Sequence, residues 1–469
     1  LALLIALSAA GSACPAPAAV SSAAPAAAPA SGGAAAPAQP SAPADDDPAD
    51  RADTVDAVDA ALERAQKSHV PVLVDFGAAW CYACYYMAEN VLTGPEWAAL
   101  QQHAVVVTLD VDTPQGRARE AAMHVNALPT YVVLDAHGVE LGRIVGEQTR
   151  AEFYRTMHSI LARAVSLDQL AAHVHDSAQP SAQAVREVLA AFHAQGGATE
   201  GLAWWTTLPA AVQVKLERDA LVRLWTQRLR LQQSAQRHNG QLCAALAPPV
   251  FAGDLGCDRA AEVRRTMECT TALPAAQRRH LLAPQKAALA RLLYGRVFVA
   301  HPSCADARTA VLTEADLDRQ LGYPKAESAI LRAAIDDARK RLGGDIGSNR
   351  NLADNLRVYL EKAGRTAELD ALYPKLIAAY PDDYVYAYRY ARMLAAHGHD
   401  AEALHYYERA AAQAYGRNRL AVAEGRVAVL LKLGRASEAQ SVAAEALQAN
   451  GPWFPQEAAR LRRLVAPAG

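Results

Sequence analysis

Residues 71–84 read PVLVDFGAAWCYAC. The first six are apolar apart from Asp75 and rich in β-branched and aromatic side chains, which predicts a buried strand. The chain then turns through small residues and delivers Cys81 and Cys84, two residues apart. Cysteines so spaced can close a disulfide, supply half a metal site, or do neither. The surrounding pattern has to decide.

Outward from this stretch, TVDAVDAALERAQKSH carries apolar residues at helical spacing, and the segment after Cys84 predicts one helix running to about Leu100. AVVVTLDV (104–111) predicts a second strand and 115–124 a short helix. TYVVLD and VELGRIVG flank AHG as a hairpin, and AEFYRTMHSILARA places Phe153, Met157, Ile160 and Leu161 on one helical stripe. Strands alternating with helices, then a hairpin and a closing helix, predict an α/β domain with a mixed sheet.

A helix that begins around Cys81 points unpaired N–H groups and a partial positive charge at it, which favours a thiolate. This predicts Cys81 as the exposed attacking thiol, with its pKa below the free value of about 8.5. Cys84, one turn inward, is placed to resolve a mixed disulfide. No second short cysteine pair supplies the other ligands of a zinc site, so no metal is expected.

VLVDFGAAWCYAC followed by ALPTYVVLD resembles the thioredoxin-fold oxidoreductases over residues 52–165. The resemblance implies a redox-active disulfide between Cys81 and Cys84 that needs no cofactor, with Asp75 as proton acceptor for Cys84. It also implies a substrate groove formed by Trp80, Tyr82, Ala83 and a cis-proline loop of Leu128, Pro129 and Thr130. Within the family, WCYACYYMAEN is most similar to periplasmic reductase modules with the pattern Trp-Cys-x-x-Cys-Lys-x-Met-Glu. The C-terminal domain of transmembrane thiol–disulfide interchange proteins is one of these. Two positions depart: Tyr85 stands for the Lys and Ala88 for the Glu, with an acid one place later at Glu89. Reduction, oxidation and isomerisation all fit the motif.

The N-terminal LALLIALSAAGSAC has the length of a signal-peptide apolar region, and its end resembles a bacterial lipobox with Gly11 in place of the usual Leu. Residues 1–14 are therefore expected to direct export to the periplasm, with Cys14 either lipidated or left near a cleavage site. Residues 15–51, almost entirely Ala, Pro, Ser and Gly before an acidic end, cannot bury a core and are expected to be a disordered tether. In an oxidising compartment Cys243, Cys257, Cys269 and Cys304 suit two structural disulfides in any of three pairings.

Residues 166–346 predict helices interrupted at QGGATEG, APPVFAGDLG and VAHPSCADA, with Trp204 and Trp205 as packing anchors. Residues 347–465 repeat. Gly364, Gly398 and Gly434 recur in like settings, each with Leu360, Leu394 or Leu430 four positions before it. Leu369, Ala403 and Ala439 follow five positions later, and Tyr373, Tyr407 and Pro381 add to the pattern, whereas Ala387 and Ala423 replace a large residue of the first helix. This resembles tetratricopeptide repeats.

A net charge of −2 without a long basic cluster gives nucleic-acid binding no support. The resulting expectation is a thiol–disulfide oxidoreductase acting on protein thiols and disulfides. A separate redox partner supplies or takes the electrons, the repeats hold a peptide or protein, and membrane contact is through the lipid anchor alone. A reading of another class makes the repeats the working part and the thioredoxin-like domain an accessory to an interaction scaffold.

Overall fold

The computed structural model describes residues 56–466. The leader, Cys14 and the tether lie outside the described residues. Among those residues, no helix is long and apolar enough to cross a membrane.

Four strands, β1 (Val72–Gly77), β2 (Val105–Asp110), β3 (Thr130–Leu134) and β4 (Glu140–Val145), form one sheet in the order β2-β1-β3-β4. β1 runs parallel to β2 and antiparallel to β3, so Asp75 lies opposite Thr108 on one side and Tyr131 on the other. The side-chain alternation of β1 divides the core. Val72, Val74 and Phe76 pack with Val58, Ala61 and Ala65 of α1 (Ala57–Ser68), next to Val125, which follows α4 (Pro114–Ala122). Leu73 faces the other way, toward Met87 of α2 (Tyr82–Asn90), Leu100 of α3 (Gly94–His103) and Phe153, Met157 and Ile160 of α5 (Arg150–Arg163). A period of two puts Asp75 and Gly77 on that second face with Leu73, beneath α2.

The single helix expected from Cys84 to Leu100 is two. Thr93 is extended, Gly94 takes φ +76°, and Pro95 has no N–H to continue a hydrogen-bond ladder. α5 starts with a reciprocal cap in which the Thr149 and Glu152 side chains each accept from the other's backbone N–H.

From Leu167–Asp176 to Pro455–Val465 the described residues form helices and no strands. The break expected at APPVFAGDLG (247–256) falls within that stretch, at Gly253 rather than at its prolines. Pro248 and Pro249 lie inside the helix Gly240–Ala252, which ends only at Gly253. Cys243, Ala247, Val250 and Phe251 of this helix are buried in the core, and that packing overrides the local propensity. Trp205 is buried, and Trp204 donates its indole N–H to Ala171 O at 3.1 Å, so both act as packing groups.

Of the three possible pairings, the structure has Cys243–Cys269 and Cys257–Cys304. The second bond closes a sequence separation of 47 residues. Replacing both Cys257 and Cys304 by Ser is expected to lower the stability of this region by about 2–4 kcal/mol. Urea unfolding of the oxidised proteins checks this, and a variant as stable as the parent would contradict it.

The C-terminal helices pair as Arg350–Lys362 with Thr366–Ala379, Val385–Ala396 with Asp400–Ala411, and Gly416–Lys432 with Ala436–Asn450. Gly364, Gly398 and Gly434 hold the turns at positive φ, which a side chain would strain. After each, the next N–H closes back onto the leucine noted in the sequence: Arg365 N to Leu360 O, His399 N to Leu394 O and Arg435 N to Leu430 O, all within 3.0 Å. The repeated glycine is thus a repeated helix stop. Leu369, Ala403 and Ala439 are buried, as are Tyr373 and Tyr407.

Candidate functional site

β1 ends at Gly77, and a short turn leads to Cys81, whose N–H bonds Ala78 O at 3.0 Å. Cys81 is the N-cap of α2, and its Sγ accepts the Cys84 N–H at 3.1 Å. Its sulfur therefore sits against the positive end of the helix. Cys81 and Cys84 are disulfide-bonded, with Cα atoms 5.2 Å apart. A Cβ placed on Gly77 would come 3.7 Å from Cys84 Sγ, so this glycine floors the pair. Asp75 lies two residues before Gly77 on the same face. It keeps a little accessible surface, but its carboxyl is deep enough that burial pushes its pKa from 3.8 to about 7.

Of the other expected site residues, Trp80, Tyr82 and Ala83 adjoin the cysteines in the chain, and Thr130 pairs with Phe76 in the sheet. Trp80 is 37% exposed and donates its indole N–H to Asp112 Oδ2 at 2.6 Å. Asp112 is fully buried. Neighbouring Asp110 is pushed up to about 6 by burial and then by the Asp112 charge. Ala83 is buried. The Leu128–Pro129 peptide is cis, Pro129 O accepts from Gly146 N at 2.8 Å, and the buried Thr130 hydroxyl bonds Ala127 O at 2.7 Å. No group of three or more His, Cys, Asp or Glu side chains among the described residues is arranged to hold a metal ion.

One expectation is corrected. Cys81, the thiol expected to be exposed, is only 3% accessible, while Cys84 is partly exposed. The reason is distant in sequence, because the helical region packs over the redox turn. Arg389 Nη2 donates to Trp80 O at 3.2 Å and Asn351 Nδ2 to Tyr82 O at 2.8 Å, so the carbonyls on both sides of Cys81 are occupied. The Arg308 guanidinium lies 3.6 Å from the Tyr82 ring centroid, and that of Arg350 lies 4.2 Å from Tyr85. Glu89 Oε1 accepts the Arg350 backbone N–H at 2.8 Å, an anion on a helix N-terminus. Farther along, Arg417 N bonds Asp112 O at 2.9 Å and the Tyr415 hydroxyl bonds the Asp110 carboxylate.

Sequence reasoning missed these partners. Arg308, Asn351 and Arg389 belong to no local motif and lie more than 200 positions from the cysteines they approach. The only available signal was the pair of departures from the reductase pattern. Tyr85 and Glu89 are two of the residues that meet the helical region. Glu147 was also missed. Burial and Asp306 raise its carboxyl well above the usual range, although Arg308 opposes the shift.

Residues 53–136 match the family model described as thioredoxin-like. The thioredoxin of Mycobacterium tuberculosis is 34% identical over 112 residues, covering 23% of this chain and 90% of that protein. The thiol:disulfide interchange protein DsbD of Cronobacter sakazakii is 34% identical over 113 residues, which are 23% of this chain and 19% of DsbD. The bifunctional thioredoxin reductase/thioredoxin of Mycobacterium leprae is 34% identical over 110 residues, 23% of each chain. The chain thus spans only about a fifth to a quarter of these last two relatives. A solved DsbH oxidoreductase aligns at 23% identity and TM-score 0.20, covering 23% of this chain and 84% of that one. With the redox turn, the mixed sheet and near-complete coverage of small thioredoxins in agreement, the chain belongs to the thioredoxin-like family.

Proposed function

We propose that this chain is an exported thiol–disulfide oxidoreductase whose Cys81–Cys84 pair acts on protein substrates. The observation that carries the reading is the Cys81 sulfur held at the N-terminus of α2, with a buried acid of raised pKa on the strand beneath. In the reductive direction the Cys81 thiolate attacks a substrate disulfide, forming a mixed disulfide and expelling one substrate thiolate. Cys84 then gives its proton to Asp75 and attacks Cys81 Sγ. The Cys81–Cys84 bond closes, the second substrate thiol leaves, and two electrons have passed to the substrate. Another protein dithiol restores the pair, and oxidation of a substrate is the same sequence reversed. Trp80, Tyr82, Ala83, Leu128, Pro129 and Thr130 shape the substrate groove.

In this reading residues 52–165 are the redox module and 166–346 a helical middle region. Residues 347–465 are a tetratricopeptide-like array that recruits a partner. Residues 1–14 and the 15–51 tether direct the protein to the periplasm, with Cys14 as the anchoring position. The burial of Cys81 favours the scaffold reading, and the test separates the two. The full chain is expected to accelerate dithiothreitol-driven insulin reduction, Cys84→Ser to stall as a disulfide adduct with insulin, and Cys81→Ser to do neither. Absence of both the turnover and the adduct leaves the scaffold.

A further inference from the structure

The face of a thioredoxin-type domain that meets substrate is, in this chain, packed against the chain's own helices. We propose that the helical region is a built-in cover that withholds Cys81 from protein substrates while docked, and that the redox pair works only after this contact opens. The proposal rests on the thiol–disulfide reading above and concerns the regulation of that site.

Three observations carry it. Cys81 is 3% accessible, and the backbone carbonyls on either side of it are taken by Asn351 and Arg389. A substrate strand has no room beside the sulfur until those donors withdraw. Second, Tyr85, which stands for the Lys of the reductase pattern, and Glu89, the acid one place beyond Ala88, contact Arg350. The redox helix is fitted to this cover. Third, the seam is polar. At the redox face, among the described residues, Ala79 is the thioredoxin-module side chain that packs against the apolar core of the C-terminal helices; Val165 packs on a separate helical core away from it. Hydrogen bonds, an ion pair and guanidinium–ring stacks also cross the seam there. Groups of that kind exchange their partners for water, so the seam separates at far smaller cost than an apolar core.

Two substitutions open the seam by different means. Gly416 takes φ +51°, and a Cβ there would lie 2.0 Å from Asp112 O, so Gly416→Ala wedges the surfaces apart. Asn351→Ala with Arg389→Ala removes the donors. The readout is alkylation of Cys81 by a bulky polyethylene-glycol maleimide in the reduced full chain carrying Cys84→Ser. The parent is expected to react slowly and both altered chains at least about tenfold faster, with insulin reduction rising similarly when Cys84 is retained. Amide exchange of the unaltered chain adds a measurement that needs no variant. Residues 79–89 and the Arg350–Lys362 helix should lose protection together, ahead of β1. A parent as reactive as an unstructured cysteine peptide, or equal rates in all chains, overturns the cover. So does protection of 79–89 equal to that of β1. Insulin reduction at one common rate then leaves the oxidoreductase reading standing. Faster alkylation without insulin reduction in any chain upholds the cover and removes that reading instead.

Discussion

Asp75→Asn is expected to make the oxidised protein more stable at pH 8 while slowing its redox turnover. The Asp75 carboxyl titrates at about 7 in the folded chain because burial disfavours its charge, against 3.8 when free. Between these values the folded state binds more protons than the unfolded one, so stability falls as pH rises from about 4 to about 7 and stays low above. The full penalty is at most about 4 kcal/mol. The amide cannot ionise and escapes it. Unfolding in urea, followed through β1 amide exchange, should therefore show the variant ahead by up to that amount at pH 8 and the two nearly equal at pH 4. Other buried carboxyls titrate in both proteins and cancel in the difference. A gap that does not grow with pH would mean that Asp75 is not a neutral buried acid. Turnover of insulin should drop about a hundredfold, because Cys84 loses its proton acceptor.

Asp354→Ala is expected to destabilise the helical region by roughly 3–5 kcal/mol. Asp354 is fully buried on the Arg350–Lys362 helix. It is bonded by Arg308 Nη2 at 2.7 Å, Arg357 Nε at 2.8 Å and Arg389 Nη1 at 2.6 Å. Burial alone would raise its pKa, but Arg357, Arg389 and Arg308 overcome this and hold the carboxyl well below the usual range. Alanine leaves three guanidinium groups facing one another around a void. The stabilising contribution is complete above about pH 4 and is lost as pH falls below it, since the folded pKa lies under the unfolded one. Thermal unfolding at pH 7 and pH 3 measures both points. Asp354→Asn should lose less, because the amide oxygen still accepts a hydrogen bond. A variant as stable as the parent at pH 7 would show that the arginines find other partners.

The thioredoxin-like module was legible because its signals are local. An apolar β1, a turn of small residues and a cysteine at a helix start follow one another within fourteen residues. Gly364, Gly398 and Gly434 were legible for the same reason, since a helix stop is written in the residues that make it. The break in APPVFAGDLG was legible as a stretch, but its place at Gly253 was not, because tertiary packing carries the helix past Pro248 and Pro249. The break at Thr93–Gly94 was overlooked because apolar spacing continues across it. The exposure of Cys81 could not be read from its neighbours, because Asn351 and Arg389 come from helices remote in sequence. Local patterns fix what a segment becomes, while surface accessibility depends on the rest of the chain.

The docking of α2 against the Arg350–Lys362 helix joins two parts of one molecule, which changes the competition that any substrate faces. A tethered surface presents itself at an effective concentration on the order of millimolar, whatever the protein's own dilution. A free protein present at about 1 µM would have to bind the redox face about a thousandfold more tightly than the helices do to occupy it half the time. Dilution cannot weaken the resident contact. A second point of attachment elsewhere on the helices would offset the handicap, by making the substrate's arrival at Cys81 intramolecular as well.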